Sequence, residues 1–222
     1  MEYPATLICS PLFRDIPQEE LAGLLSAMDA RRRRFARGET VLRRGEPGDR
    51  MGLVLSGTVH IVKEDFWGDR TIVGLARSGE VFGEAYACLG GEPLEVTVLA
   101  DADTEVLFLD PAQALSGDRP GGHRFTRNLL ALLAGRDLAL TRKMGHMARR
   151  TTRDKLLSYL SAQALQAGRP EFDIPLDRQQ LADYLAVDRS AMSAALGKLR
   201  DEGVLTFRKN HFRLLRQVED AD

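Results

Sequence analysis

The spacing of apolar positions changes character along the 222 residues. In "PLFRDIPQEELAGLLSAM", Leu21, Leu24, Leu25 and Met28 recur at helical spacing behind Pro17, which predicts a short N-terminal helix. From Arg31 to about Asp110 the texture is short β-rich runs between glycine turns, as in "MGLVLSGTVHIVKE" and "TIVGLARSGEVFGEA". There Val59, Ile61 and Lys63 point one way and His60 and Val62 the other. Strands this short and regular, with no interleaved helices, predict a sandwich or barrel. The breaker cluster "SGDRPGG", Ser116 to Gly122, closes the region.

A long helix is predicted next, from His123 to Arg149. Phe125, Leu129, Leu133, Leu140, Met144 and Met147 form a stripe that only Arg136 and Asp137 interrupt. Such a stripe must be covered. A twin helix from a second copy is the economical partner, and a helix lying back on its own β domain is the alternative. A second domain starts near Thr151. "DKLLSYLSAQALQAG" predicts a helix with Leu156, Leu157, Leu160 and Leu165 facing inward, stopped by Gly168 and Pro170. At the far end "VLTFRKNHFRLL" predicts a hairpin, Val204 to Phe207 and Phe212 to Leu215, around a polar turn from Arg208 to His211.

Between them lies "LDRQQLADYLAVDRSAMSAALGKLRDEGVL". Asp177 with Gln180 three residues on is a capping-box pattern and starts a helix whose inner face is Leu181, Ala182 and Leu185. "AVD" is a tight turn, Val187 plugs the angle, and Asp188 caps a second helix. That helix buries Met192, Ala195, Leu196 and Leu199. Its other face is Arg189, Ser190, Ser193, Ala194 and Gly197, which has little bulk and little charge beyond its start. A face meant only for solvent more often carries Glu, Lys and Gln. A helix entering a groove about 12 Å wide needs short side chains and a few hydrogen-bonding ones near its N-terminus. The pattern therefore predicts a helix-turn-helix with a following β wing.

Composition narrows the field. At 44% hydrophobic and 28% charged, the chain is an ordinary globular one. No apolar run approaches the ~20 residues of a membrane span. The N-terminus lacks a basic region followed by an apolar stretch, so no signal peptide is expected. Cys9 and Cys88 are too few for a disulfide framework or a four-cysteine iron–sulfur cluster, and they suit a reducing cytoplasm. The net charge of −1 gives no bulk attraction to nucleic acid. Local charge is more informative: Arg31 to Arg34 form one basic run, and Arg142, Lys143, Arg149, Arg150, Arg153 and Lys155 form another around the predicted hinge. Arg208 and Lys209 sit at the wing tip. A β-roll enzyme of the cupin kind would need clustered histidines, but no His-x-His pair occurs. Nor is there a phosphate-cradling glycine loop with its lysine, or a nucleophile elbow.

The order of β-roll, long helix and winged helix-turn-helix resembles the CRP/FNR superfamily of bacterial transcription regulators, over nearly the whole chain. "GETVLRRGEPGDRMGLVLSGTVHIVKE" is similar to its early β-roll, "SGEVFGEAYACLGGEP" to its pocket segment, and the stretch from Leu176 to Leu205 to its helix-turn-helix. The resemblance implies an α+β chain with a jelly-roll (double-stranded β-helix) sensor domain at 1–122, a dimerisation helix and hinge at 123–150, and a winged helix-turn-helix domain at 151–222. It implies base reading by Arg189, Ser190 and Ser193, and phosphate contacts by Arg178 and Gln179 beside Arg208 and Lys209. Where a family member has a longer acidic residue after the arginine, this chain has Ser190. The implied partners are a palindromic double-stranded DNA operator, a second copy of the chain, a small-molecule effector and, as a candidate, RNA polymerase.

The resemblance places an effector pocket at Gly83, Glu84, Ala85, Cys88, Leu94 and Glu95. Members that bind cyclic AMP carry an arginine and a small hydroxyl residue about ten positions after the Gly-Glu pair. Here those positions are Leu94 and Glu95, with Glu92 nearby, so a phosphate would meet carboxylates and no cation. Cyclic AMP is therefore not expected as a tight ligand. Haem would draw on His60, His123, His146 or Cys88, each more often an ordinary surface or core residue. Cys88 is either a redox switch or, more simply, a small buried hydrophobe. The alternatives to a regulator are a nucleotide-responsive subunit without DNA binding and a cupin-like enzyme.

Overall fold

The structure is a computed structural model that describes residues 4–65, 67, 69–115 and 119–215. Ser116, Gly117 and Asp118 of the expected breaker cluster lie outside the described residues. The chain divides into two compact units between Ala134 and Gly135.

The first unit begins with α1 (Ala5–Cys9), a 3-10 turn at Pro11–Phe13 and α2 (Gln18–Ala27). The short helix expected behind Pro17 is α2, and α1 and the 3-10 turn precede it. Pro17 cannot donate a backbone hydrogen bond, and it stands as the N-cap of α2 rather than inside a longer helix. The strands follow: β1 (Arg31–Phe35), β2 (Thr40–Leu42), β3 (Met51–Ser56), β4 (Thr58–Glu64), β5 (Arg70–Arg77), β6 (Val81–Phe82), β7 (Thr97–Ala100) and β8 (Thr104–Leu109). Between β6 and β7 lies α3 (Glu84–Cys88), and α4 (Ala112–Leu115) follows β8. The strands form two antiparallel sheets, β1-β8-β3-β6 and β2-β7-β4-β5.

Phe35, Val54, Phe82, Val106 and Phe108 of the first sheet and Val41, Val59, Ala76, Val98 and Ala100 of the second form one core. The other face of the first sheet, carrying Met51, Leu53, Leu55, Leu107 and Leu109, packs with Leu12, Leu21, Leu24 and Met28. Alternate side chains of β3 therefore enter different cores, which is why "MGLVL" is apolar without a polar beat. Gly52 lies opposite Phe82 in the ladder, and a Cβ there would stand 2.2 Å from the Phe82 ring. β1 is an edge strand carrying Arg31 to Arg34, all exposed, an arrangement that discourages another chain from pairing with it.

The long helix is α5 (Gly122–Met147). Its expected stripe is divided. Phe125 and Leu129 are buried in the core of the first unit, with Leu132 and Leu133 packed beside them. Leu138, Leu140 and Met144 are more than half exposed, as is Leu130 on the earlier half. The lie-back alternative thus describes the first half of the helix, and an uncovered apolar face remains on the second.

The second unit contains α6 (Thr152–Ala167), β9 (Glu171–Asp173), α7 (Arg178–Leu185), α8 (Arg189–Asp201), β10 (Leu205–Arg208) and β11 (His211–Leu214). Thr151 caps α6 by accepting from the Asp154 N–H, and Gly168 ends it in the left-handed conformation. Leu156, Tyr159 and Leu160 are buried, but Leu165 is 83% exposed, against expectation. Nine residues after Leu156 is half a revolution away at 3.6 residues per turn. Ala164, two steps of four from Leu156, packs inward instead.

The wing hairpin sits one residue nearer its tip than predicted and gains β9 as a third strand, in the order β10-β11-β9. Its turn is tight because Lys209 adopts φ +55°. Directly after the turn, His211 faces Asp173 across the ladder, with Nδ1 3.0 Å from Asp173 and Nε2 3.0 Å from Glu171. Both ring nitrogens must donate to satisfy both carboxylates, so the protonated ring fits the site. The hydrogen bonds to Asp173 and Glu171 raise the pKa of His211 above its ordinary value.

Two measurements test this packing. Gly52→Ala is expected to lower unfolding stability by about 1–3 kcal/mol, read by urea titration, because a sheet neighbour and a fully buried ring leave no room for a methyl group. The His211 clamp is complete below the imidazole's ordinary pKa of 6.5 and is lost as pH rises through the higher folded value. The urea midpoint of the wild-type chain should therefore fall as pH rises above 6.5, relative to that of His211→Gln. Parallel curves would refute the clamp.

Candidate nucleic-acid interface

The corner between α7 and α8 is built from its caps outward. Asp177 accepts from the Gln180 N–H at 2.8 Å, and the Gln180 side chain accepts from the Asp177 N–H at 2.9 Å, so both halves of the capping box form. Leu181, Ala182 and Leu185 of α7 are buried with Met192, Leu196 and Leu199 of α8. Ala182 is small enough for the helices to approach closely. Ala186 makes the turn at φ +49°, a left-handed conformation that costs a non-glycine residue roughly 1–2 kcal/mol. Two contacts hold it. The Val187 N–H donates to the Ala182 carbonyl at 3.0 Å. Lys155 Nζ donates to the carbonyls of Leu185 and Ala186 at 3.2 and 3.4 Å, placing a cation at the C-terminal end of α7.

Asp188 then caps α8, accepting from the Ala191 N–H at 2.8 Å. The Ser190 hydroxyl also donates to Asp188, and these bonds hold the carboxyl below its usual range. The Ser193 hydroxyl donates to the Arg189 carbonyl at 2.9 Å. Each hydroxyl must turn away from its local partner before it can donate to anything outside, although its oxygen stays free to accept. Arg189, Ser190, Ser193 and Ala194 are exposed, and a Cβ on Gly197 would meet nothing within 4 Å. The outward face of α8 is open, as the sequence predicts.

A cleft of about 570 Å³ joins this corner to the wing, lined by Asp177, Arg178, Gln179, Arg189, Lys209 and Asn210 among others. It brings Gln179, Arg189 and Lys209 together. Arg208 is exposed on the same hairpin but outside the lining. The Gln179 amide donates to Asp183 at 2.8 Å. Asn210 fixes the wing tip through two bonds with Ile174, its amide to the Ile174 carbonyl and its own carbonyl to the Ile174 N–H. Arg178 is placed differently from its neighbours: its guanidinium lies 4.8 Å from the centre of the Phe207 ring and 5.1 Å from that of Phe212. Burial lowers its pKa.

The basic run around the hinge is partly used internally. Arg153 pairs with Glu202 at 2.6 Å, Lys143 lies 5.4 Å from the centre of the Tyr184 ring, and Lys155 holds the turn. His146, at the end of α5, is buried, with Nδ1 2.8 Å from the Ser158 hydroxyl and its ring edge-on to Tyr159. Burial, and then the Arg149 charge, lower its pKa. Burial likewise pushes the Tyr159 hydroxyl up to about 12. Lys155, Asn210 and His211 are not distinguished by sequence pattern. Their partners are backbone carbonyls and residues in other elements, which no local spacing encodes.

In the expected effector segment, Gly83 takes φ +73° as the N-cap of α3 and Glu84 is buried. Ala85 and Glu95 are exposed. Leu94 is fully packed, and its backbone is bonded to Gly45 and Glu46. Cys88 is half-buried, and burial followed by the Glu84 charge raises its thiol pKa, the opposite of an activated thiolate. His60 lies 3.6 Å from Asp101. Among the described residues no three His, Cys, Asp or Glu side chains converge as a metal-ligand set, and no helix is long and apolar enough to cross a membrane.

Residues 32–116 match the model of the cyclic nucleotide-binding domain, and residues 154–218 match that of the Crp-like helix-turn-helix domain. The chain is 29% identical over 198 residues to the cyclic AMP receptor protein of Thermus thermophilus, covering 88% of each. It is 25% identical over 190 residues to the global nitrogen regulator of Synechococcus elongatus, covering 83% of this chain and 85% of that one. The crystal structure of the Thermus thermophilus catabolite activator protein shares 30% identity at a TM-score of 0.50, over 92% of this chain and 93% of that one. These relatives are regulators rather than enzymes. With the β-roll, the long helix and the open face of α8 in their expected order, the chain belongs to the CRP/FNR family of DNA-binding transcription regulators.

Proposed function

We propose that this chain acts as a cytoplasmic homodimer on a palindromic operator, with a β-roll sensing domain at 1–122, a dimerisation helix and hinge at 123–150 and a DNA-binding domain at 151–222. The observation that carries the DNA contact is the exposed, unbulky face of α8 beginning at Arg189, beside a cleft that Lys209 and Gln179 also line. Arg189 is a bidentate reader of a guanine edge, and Ser190 and Ser193 serve neighbouring bases or phosphates. Gln179, Arg208 and Lys209 hold the backbone. The uncovered face of α5, with Leu140 and Met144, supports pairing with a second copy. Two reading helices then enter successive major grooves about 34 Å apart. RNA polymerase is a candidate further partner.

The effector is proposed to differ from cyclic AMP. The segment that would receive its phosphate offers packed Leu94 and exposed Glu95, with Glu92 close in sequence and no cation among the three. Calorimetric titration with cyclic AMP should show no tight binding. Effector binding would bias the arrangement of the hinge between Ala148 and Thr152.

Selection of genomic fragments followed by footprinting should reveal two symmetric half-sites. Arg189→Ala is expected to cost roughly 1–3 kcal/mol at one base position of each half-site and to relax preference there. An even loss across all sequences would make Arg189 a phosphate contact instead.

A further inference from the structure

Arg178 stands apart from the other cations around the cleft. Arg189, Arg208 and Lys209 are exposed. Arg178 is half-buried at the first position of α7, and its guanidinium lies over two aromatic rings that belong to the wing, Phe207 of β10 and Phe212 of β11. Phe212 is fully buried and stacks on both Phe207 and Phe172. Nη2 of Arg178 is sealed from solvent and has no hydrogen-bond partner. In this conformation a phosphate oxygen cannot reach that nitrogen, so the bidentate fork of a phosphate-binding arginine is unavailable. What the guanidinium does have is a flat cationic face against the rings, the geometry of a cation–π contact.

The capping box fixes the start of α7, and Arg178 is the next residue. The hairpin that carries Phe207 and Phe212 turns at Lys209 one residue after Arg208. The stack therefore ties the wing to the helix that precedes the reading helix. We propose that Arg178 is a positioning residue for DNA binding: its stack on Phe207 and Phe212 sets where the wing presents Arg208 and Lys209 to the DNA backbone, and it makes no phosphate contact of its own. This rests on the DNA-binding reading above and reassigns one of its expected contacts.

The two roles separate in a mutant cycle. The probe is a labelled random-sequence duplex of about 40 base pairs, titrated with the full chain at several salt concentrations, because sequence-independent binding reports phosphate contacts directly. Circular dichroism and urea titration monitor folding of each variant. Arg208→Ala/Lys209→Ala should lower the salt slope by about 0.9 for each phosphate that the wing no longer neutralises. Arg178→Ala should lower it by a similar amount, yet weaken binding less than about twofold when added to the wing double variant, since the cations it positions are already gone. Arg178→Lys, which keeps the charge but removes the planar face, should behave like Arg178→Ala.

Additive losses, with rescue by Arg178→Lys, would overturn the proposal and make Arg178 a direct phosphate contact. Should Arg178→Ala fail to fold, Arg178→Lys decides alone: a reduced slope supports positioning and a retained one refutes it. If the unsubstituted chain shows no salt-dependent binding, or the wing double variant binds as the wild type does, the DNA-binding reading of the wing fails first, and the inference with it.

Discussion

The close crossing of α7 and α8 governs what the second unit presents outward. A helix displays an outward face only if its inward face is held in register, and here that register comes from very few groups. Ala182 lets the helices approach, Val187 packs into the angle, and Lys155 reaches from α6 to the last carbonyls of α7. With the corner fixed, Met192, Leu196 and Leu199 must point inward. Arg189, Ser190 and Ser193 are then left outside by helical geometry alone. The Asp188 cap adds the starting point, so the first exposed turn of α8 is defined at both its phase and its origin.

The first unit solves a different problem, how to bury a strand on both faces. β3 sends Met51, Leu53 and Leu55 to the helices and Val54 to the other sheet, and Gly52 leaves space for Phe82. The half of α5 that carries Phe125 and Leu129 completes the helical side of that core. One continuous helix thus does two jobs along its length: its beginning is core, and its later residues leave apolar surface uncovered. The divided stripe follows from this. A pattern of apolar positions records that cover is required but not which body supplies it.

The same distinction explains what is legible in the sequence. Caps, turns and helix faces depend on residues a few positions apart, and the capping box at Asp177, the Asp188 cap and the open face of α8 can all be read directly. Leu165 does not follow its leucine neighbours inward, because its angular position on α6 opposes Leu156. The stacked guanidinium of Arg178 is not legible, since it depends on rings about thirty positions away whose approach is decided by sheet pairing. Nor is the His211 clamp, which needs β9, a three-residue strand too short to announce itself. For the effector segment, the sequence supplies the mismatch of charge, while the packed state of Leu94 becomes visible only with the 45–48 turn beside it.

The left-handed alanine at the corner has a mechanical consequence. Glycine would take φ +49° without strain, but it would also wander over a wide region of backbone space. The methyl group of Ala186 narrows that region to a small basin, so the joint is stiff as well as tense. Thermal wobble of α8 about its pivot is correspondingly restricted, and the helix arrives at its partner already aimed, with less orientational freedom left to surrender on docking.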